Sequence, residues 1–187
     1  MPAFAISLPL LALIAVAVVA VNGRPILFQQ VRVGHQGRLF TMYKFRTMRE
    51  AFSEDGTLLS DEQRVTSIGR VLRRFRLDEL PELILVIAGK MSLVGPRPLP
   101  PQVLEGLKGG DKRAVMRPGL TGLAQVAGNT QLSIQEKIAL DLYYLDNWSL
   151  RMDVKILVQT LAMLVLGGSR NEQLIALALA HRGGQSA

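Results

Sequence analysis

The sequence predicts a mainly helical α+β protein with one small β-hairpin. Three observations carry that expectation. Apolar residues recur at helical spacing at Val65, Ile68, Leu72 and Phe75, at Ile134, Ile138, Leu142 and Leu145, and at Leu150, Val154, Leu157, Leu161 and Val165. Capping-box patterns, Ser60-x-x-Gln63 and Ser133-x-x-Glu136, open the first two of these stretches. Two short segments, Ile26–Val33 and Arg38–Tyr43, are rich in β-branched and aromatic residues, and Gly34-His35-Gln36-Gly37 between them reads as a hairpin loop.

The N-terminal element is an uncharged run of 20 residues, Pro2–Val21, long enough for a membrane helix. A signal peptide needs a cation before the apolar run, and none precedes it. Two readings stay open. The run crosses as one helix, or Pro9 breaks it into two limbs that dip into the bilayer and return. Arg24, just after the run, favours a cytoplasmic C-terminal side.

After the hairpin, Tyr43-Lys44-Phe45-Arg46 places two cations on alternate positions, so an extended chain aims both at one face. They fit a phosphate site or a solvated edge. The polar stretch Ala51–Gly56 is a loop. The helix announced by Ser60 then leads to the central stretch of the chain, with Arg70, Arg73, Arg74 and Arg76 near its end. Those arginines could hold lipid head groups or face solvent.

The central stretch sets Asp78 and Glu79 just before Pro81 and the apolar run Leu83–Ala88. Proline is tolerated in a first helical turn, so a helix from about Asp78 to Gly89 fits, with Asp78 at or near its N-cap. Adjacent residues on a helix do not face each other, so the two carboxylates can take separate roles, one toward a substrate and one toward a metal ion. The plainer reading is a helix start with acidic first-turn residues. Gly95-Pro96-Arg97-Pro98 follows, and prolines on both sides of Arg97 leave its backbone little freedom. A guanidinium held that way suits bidentate contact with phosphate, although a stiff linker has the same composition.

Arg117-Pro118-Gly119-Leu120-Thr121-Gly122 is a turn with a second proline-constrained arginine. Asp141, Tyr143 and Tyr144 lie in the helix opened by Ser133, and Ser149 is placed to cap the next one, which Gly167-Gly168 ends. The apolar stripe of that last helix faces either the core or a membrane, with the core as the default expectation. The segment 171–187 receives no role. The chain divides into a segment read as membrane-inserted (1–21), a main region (22–170), which is the catalytic domain if the chain is an enzyme, and a tail (171–187).

Composition narrows the function classes. The chain has 187 residues, is 49% hydrophobic and carries a formal charge of +7, which suits an anionic membrane surface or a phosphorylated substrate. Zinc-ligand spacing, RNP-like motifs and basic helices with interleaved aromatics are all missing, so nucleic acid is not the expected partner. The absence of cysteine excludes disulfides, thiol catalysis and cysteine-bound metal. A lipid-binding scaffold and a lipid phosphohydrolase are the rival readings.

Five segments in this order resemble the bacterial sugar transferase family, the monotopic phosphoglycosyl transferases. They are Tyr43–Met48, Leu77–Pro81, Met91–Pro98, Arg117–Gly122 and Leu140–Tyr144, within roughly residues 7–166. The resemblance implies an enzyme at the cytoplasmic face of the bacterial inner membrane, where the basic composition makes anionic lipid an expected partner. An oligomer is possible and the oligomeric state stays open. The enzyme would move a phospho-sugar from a UDP-sugar to polyprenyl (undecaprenyl) phosphate. In the family, the aspartate matching Asp78 attacks the sugar-bearing phosphate, UMP leaves, and polyprenyl phosphate then attacks the aspartyl-phosphosugar. The glutamate matching Glu79 helps bind Mg²⁺, Arg97 matches a phosphate-binding arginine, and Lys44, Arg117 and Asp141 match further substrate-binding positions. The family also implies a re-entrant N-terminal helix and amphipathic interfacial helices around a compact catalytic core. Leu85, Lys90 and Ala127 depart from the family, standing where an asparagine, an acid and an asparagine are common.

Overall fold

A computed structural model describes residues 2–105 and 110–184. The chain forms two compact units. One holds the residues up to Gln30 together with Met42–Ile84, and the other holds Val31–Thr41 together with the chain from Leu85 onward.

In the first unit, helix α1 (Pro2–Asn22) continues across Pro9 without interruption, where the sequence had allowed a break. Leu11, Ile14, Ala15 and Val18, spaced along one helical face, pack with Phe45 and Leu72. The other face leaves Leu10, Leu13, Val16 and Val21 exposed. Among the described residues, no helix is long and apolar enough to cross a membrane. Strands β1 (Leu27–Val33) and β2 (Leu39–Phe45) form the expected hairpin around a 3-10 turn at His35–Gly37, with its open end in this unit and its turn end in the second. Arg46, at the end of β2, is no solvated edge. Its guanidinium donates to the carbonyls of Asn22 and Arg24, at and just after the C-terminus of α1, where free carbonyls collect.

The helix expected from Ser60 to Phe75 is two helices. The Ser60–Gln63 capping box opens α2 (Asp61–Arg64), which stops at Val65. Val65 is extended because it bridges to Met48, with Arg49 N donating to Arg64 O and Thr66 N to Thr47 O. Thr66 then caps α3 (Ser67–Arg74) by accepting from Gly69 N at 3.1 Å. Gly69 lies against the Thr47 main chain, and a Cβ there would collide with the Thr47 carbonyl. A 3-10 segment (Leu77–Glu82) and α4 (Leu83–Ile87) follow.

The second unit pairs two three-residue strands that the sequence did not announce. Strand β3 (Ser92–Val94) lies parallel to β4 (Gly119–Thr121), with Ser92 opposite Gly119 and Val94 opposite Thr121. Short helices α5 (Pro101–Glu105), α6 (Gly110–Arg113) and α7 (Leu123–Val126) surround them in sequence. The main helices are α8 (Ile134–Asp146), α9 (Leu150–Leu166) and α10 (Glu172–Gly184). Ser133 closes a capping box with Glu136, and Ser149 caps α9 through Met152 N, both as the sequence predicts. Leu140, Tyr144, Ala127, Ile156, Ile175 and Ala178 form one buried core.

Helix α9 corrects one expectation. Of the two readings for its stripe, the core-facing default fails, since Leu150, Val154, Leu161 and Val165 are 72%, 53%, 65% and 79% exposed. The buried position is Ile156, flanked by Met152 and Leu157. Thr160 explains the rotation, because its hydroxyl lies 2.7 Å from that of Thr121 on β4 and so turns the helix by its polar side. Helix α10, to which the sequence assigned nothing, completes the core. Asn171 N donates to Ala127 O, and the Asn171 side chain accepts from Leu174 N. Arg170 ion-pairs with Glu136 and Glu172, and with the Ser133 bonds it holds the Glu136 carboxyl down at about 2.

Candidate active site

In the first unit the site grows from the winding of Leu77–Glu82. Arg76 adopts a left-handed backbone (φ 53°, ψ 24°) and occupies the N-cap position without a side-chain cap bond. Asp78 is therefore two residues inside the helical segment, not at its cap. The segment is 3-10 rather than α, and in a 3-10 helix residues i and i+3 eclipse. Glu79 and Glu82 thus stack on one side, 8% and 2% exposed. Lys44 from β2 reaches both, at 2.6 Å from Glu79 Oε1 and 3.4 Å from Glu82 Oε1. Arg76 Nη1 donates to the other Glu79 oxygen at 3.3 Å. Two buried carboxylates and two cations hold one another in place.

Asp78 stays partly exposed. Its carboxyl is pushed above the usual carboxylate value, first by burial and then by the Glu79 charge, while Lys44 and Arg73 pull it down. A raised pKa makes a carboxylate a stronger base and nucleophile, and the flanking cations keep its anion accessible. The arginines before it divide. Arg73 donates to Thr47 Oγ1 at 2.9 Å, and Arg74 lies over the Phe75 ring at 5.7 Å. Arg70 bonds Ser67 and the Val65 carbonyl.

The donor set suits Mg²⁺. Glu79 and Glu82 are hard oxygen donors stacked together, and Mg²⁺ is usually held by one or two carboxylates plus substrate phosphates. Among the described residues no group of three or more His, Cys, Asp or Glu is gathered as a self-sufficient cage. A metal here would share its coordination with a substrate.

In the second unit, backbone approach joins the two proline-locked arginines that the sequence showed separately. Ser92 N donates to Pro118 O, Gly95 N to Thr121 O and Gly119 N to Pro96 O, at 2.8–2.9 Å. A Cβ on Gly95 would come 2.6 Å from the Arg117 carbonyl, and one on Gly119 or Gly122 would strike the Gly95 main chain. The three glycines are what let Gly-Pro-Arg-Pro and Arg-Pro-Gly-Leu-Thr-Gly lie side by side. Arg117 is exposed and Arg97 partly so. Arg97 lines a shallow open cleft with Val33, Pro98, Leu104 and Met116. Asp141 is 2% exposed, and its Oδ2 pairs with Arg113 Nε at 2.8 Å and Nη2 at 2.5 Å. Burial pushes the Asp141 carboxyl up, and the Arg113 guanidinium opposes it.

The sequence reading missed Glu82 and Arg113. Glu82 was legible in principle, because Glu79-x-x-Glu82 has the three-residue spacing that a 3-10 turn aligns. Arg113 sits in an unremarkable basic run, and no local signal marks it.

Residues 1–167 match the family described as bacterial sugar transferase. EpsL of Bacillus subtilis, named an uncharacterized sugar transferase, is 45% identical over 150 residues, 79% of this chain and 74% of its own. An undecaprenyl-phosphate glucose phosphotransferase of Komagataeibacter xylinus is 39% identical over 168 residues, covering 82% of this chain and 32% of its own. An undecaprenyl-phosphate galactose phosphotransferase of Salmonella typhimurium is 36% identical over 157 residues, 74% of this chain and 33% of its own. The chain thus spans about a third of the two phosphotransferases. By class it is a sugar transferase, which sets the scaffold and phosphohydrolase readings aside. The chain belongs to the bacterial sugar transferase family.

Proposed function

We propose that this protein moves a sugar phosphate from a UDP-sugar to undecaprenyl phosphate, through a phosphosugar carried on Asp78. The observation that carries the reading is the partly exposed Asp78 carboxylate next to the buried Lys44–Glu79–Glu82 cluster. The relatives' names supply the substrate classes, undecaprenyl phosphate and a hexose phosphate.

In the first half-reaction an Asp78 oxygen attacks the sugar-bearing phosphorus. The bond from that phosphorus to the bridging oxygen breaks, and UMP leaves with the electron pair. In the second, a phosphate oxygen of the lipid attacks the same phosphorus, and the acyl-phosphate bond breaks to restore the carboxylate. Splitting the transfer lets one nucleophile serve a soluble donor and a lipid acceptor in turn. Lys44 and Arg73 oppose the charge gathered near Asp78. Arg97 and Arg117 are assigned to substrate phosphate. Glu79, with Glu82 beside it, would hold Mg²⁺, which when bound would neutralise diphosphate charge.

The exposed apolar faces of α1 and α9 support attachment to a bilayer on its cytoplasmic side, with α9 as an interfacial helix and α1, unbroken at Pro9, inserted by its exposed face rather than as two limbs. The test is direct. The full chain is incubated with a panel of UDP-sugars and Mg²⁺ but no lipid. One equivalent or less of UMP and a phosphosugar on the peptide containing Asp78 are expected by mass spectrometry. Adduct on another residue, or UMP release without adduct, sinks the covalent step.

Acidity gives a second check. In the metal-free chain the Asp78 carboxyl should protonate at a pH above the usual aspartate value of 3.8, and Lys44→Met, which removes a charge that holds it down, should move that pH higher still. An NMR titration of the Asp78 carboxyl without Mg²⁺ reads both.

A further inference from the structure

Four successive carbonyls in the segment around Arg97 each accept from a different donor. Pro96 O accepts from Gly119 N at 2.9 Å, and Leu99 O accepts from Val33 N at 3.0 Å. Arg97 O accepts from Arg113 Nη2 at 2.9 Å, and Pro98 O accepts from Arg32 Nη1 at 3.1 Å. Pro96 and Pro98 have no N–H, so the strand ladder cannot continue through them and carbonyls become the available handles. At Arg97 the handle is a guanidinium only 6% exposed, itself fixed by the buried Asp141 of α8. A guanidinium can serve two acceptors in fixed directions, here a carboxylate and a carbonyl.

We infer that Arg113, held by Asp141, is a positioning residue that fixes the backbone of Arg97 and so the reach of its guanidinium toward substrate phosphate. The inference rests on the assignment of Arg97 to phosphate. Asp141 then acts at two removes, through Arg113 and Arg97, and its match to a functional position needs no contact with substrate. One carboxylate turns a main-chain constraint into a direction for a half-buried charge. Lysine at position 113 keeps the charge opposite Asp141 but cannot also reach the carbonyl in the same geometry.

The test is a cycle of Arg113→Lys and Arg97→Ala in the full chain, read by equilibrium binding of UDP with Mg²⁺. UDP titration works in variants that do not turn over. Arg113→Lys is expected to weaken UDP about tenfold, the scale of one charge-assisted hydrogen bond. In the Arg97→Ala background the same change should cost less than about twofold, because the group being positioned is gone. Asp141→Asn should reproduce the Arg113→Lys pattern. If either change unsettles the fold, the paired variant Arg113→Met/Asp141→Leu removes both buried charges together and is read in the same cycle. Equal losses with and without Arg97, or no loss with Arg97 present, overturn the inference while leaving the Arg97 assignment standing. Arg97→Ala binding UDP as tightly as the unaltered chain, or the unaltered chain failing to bind UDP, overturns the assignment and the inference with it.

Discussion

Asp78→Asn is expected to abolish the phosphosugar adduct and to lower transfer by roughly 10³-fold or more, the scale on which a lost nucleophile shows. The amide keeps the shape and loses the attacking oxygen anion. Its effect on stability should have the opposite sign. The folded protein holds the Asp78 pKa above its ordinary value, so folding favours the neutral acid. The ionised form costs stability at any pH above the folded pKa, where both folded and unfolded chains have lost the proton. That cost shrinks as pH falls through the folded pKa and vanishes below the unfolded value of about 3.9. The asparagine variant should therefore melt at or above the temperature of the unaltered chain at pH 7, and the difference should close in acid. An asparagine variant that is inactive because it is unfolded would remove the case for a chemical role.

Gly95→Ala is the second large effect, and it acts on structure first. The added methyl would stand 2.6 Å from the Arg117 carbonyl and 3.0 Å from Gly119 N. Main-chain atoms cannot swing aside as a side-chain tip can, so the β3–β4 pairing must open. The expected cost is roughly 3 kcal/mol or more, at the upper end for overpacking. Thermal unfolding should shift sharply downward, and UDP binding should fall with it. Gly89→Ala serves as a comparison, since nothing lies within 4 Å of its added carbon. Its penalty should come only from the positive φ of 70°. If Gly95→Ala melts like Gly89→Ala, the close approach is not what those glycines are for.

The elements with local signals were legible. The serine caps at 133 and 149 and the hairpin loop at 34–37 involve residues near one another in sequence, and the structure carries them. Asp78 stood out because acids beside a proline mark a helical start. Other features depend on distant partners. Val65 breaks a helical pattern because Met48 pairs with it, and no window around Val65 contains Met48. The inward side of α9 is set by Thr160 meeting Thr121, against a sequence pattern that favoured the leucines and valines. Strands of three residues are too short for a period to register, so β3 and β4 were invisible although their flanking motifs were not. The passage from one compact unit to the other also left no trace. It occurs within the hairpin and within α4, where composition has no reason to change.

The matched stretch closes at residue 167, while Ile175 and Ala178 beyond it are 2% and 0% exposed. A chain trimmed to that boundary would retain every motif read from the sequence and still lose the plug over Ala127 and the underside of α8. The residues that define kinship and those needed for self-assembly are thus different sets. Any shortened version made for solubility should keep the last helix.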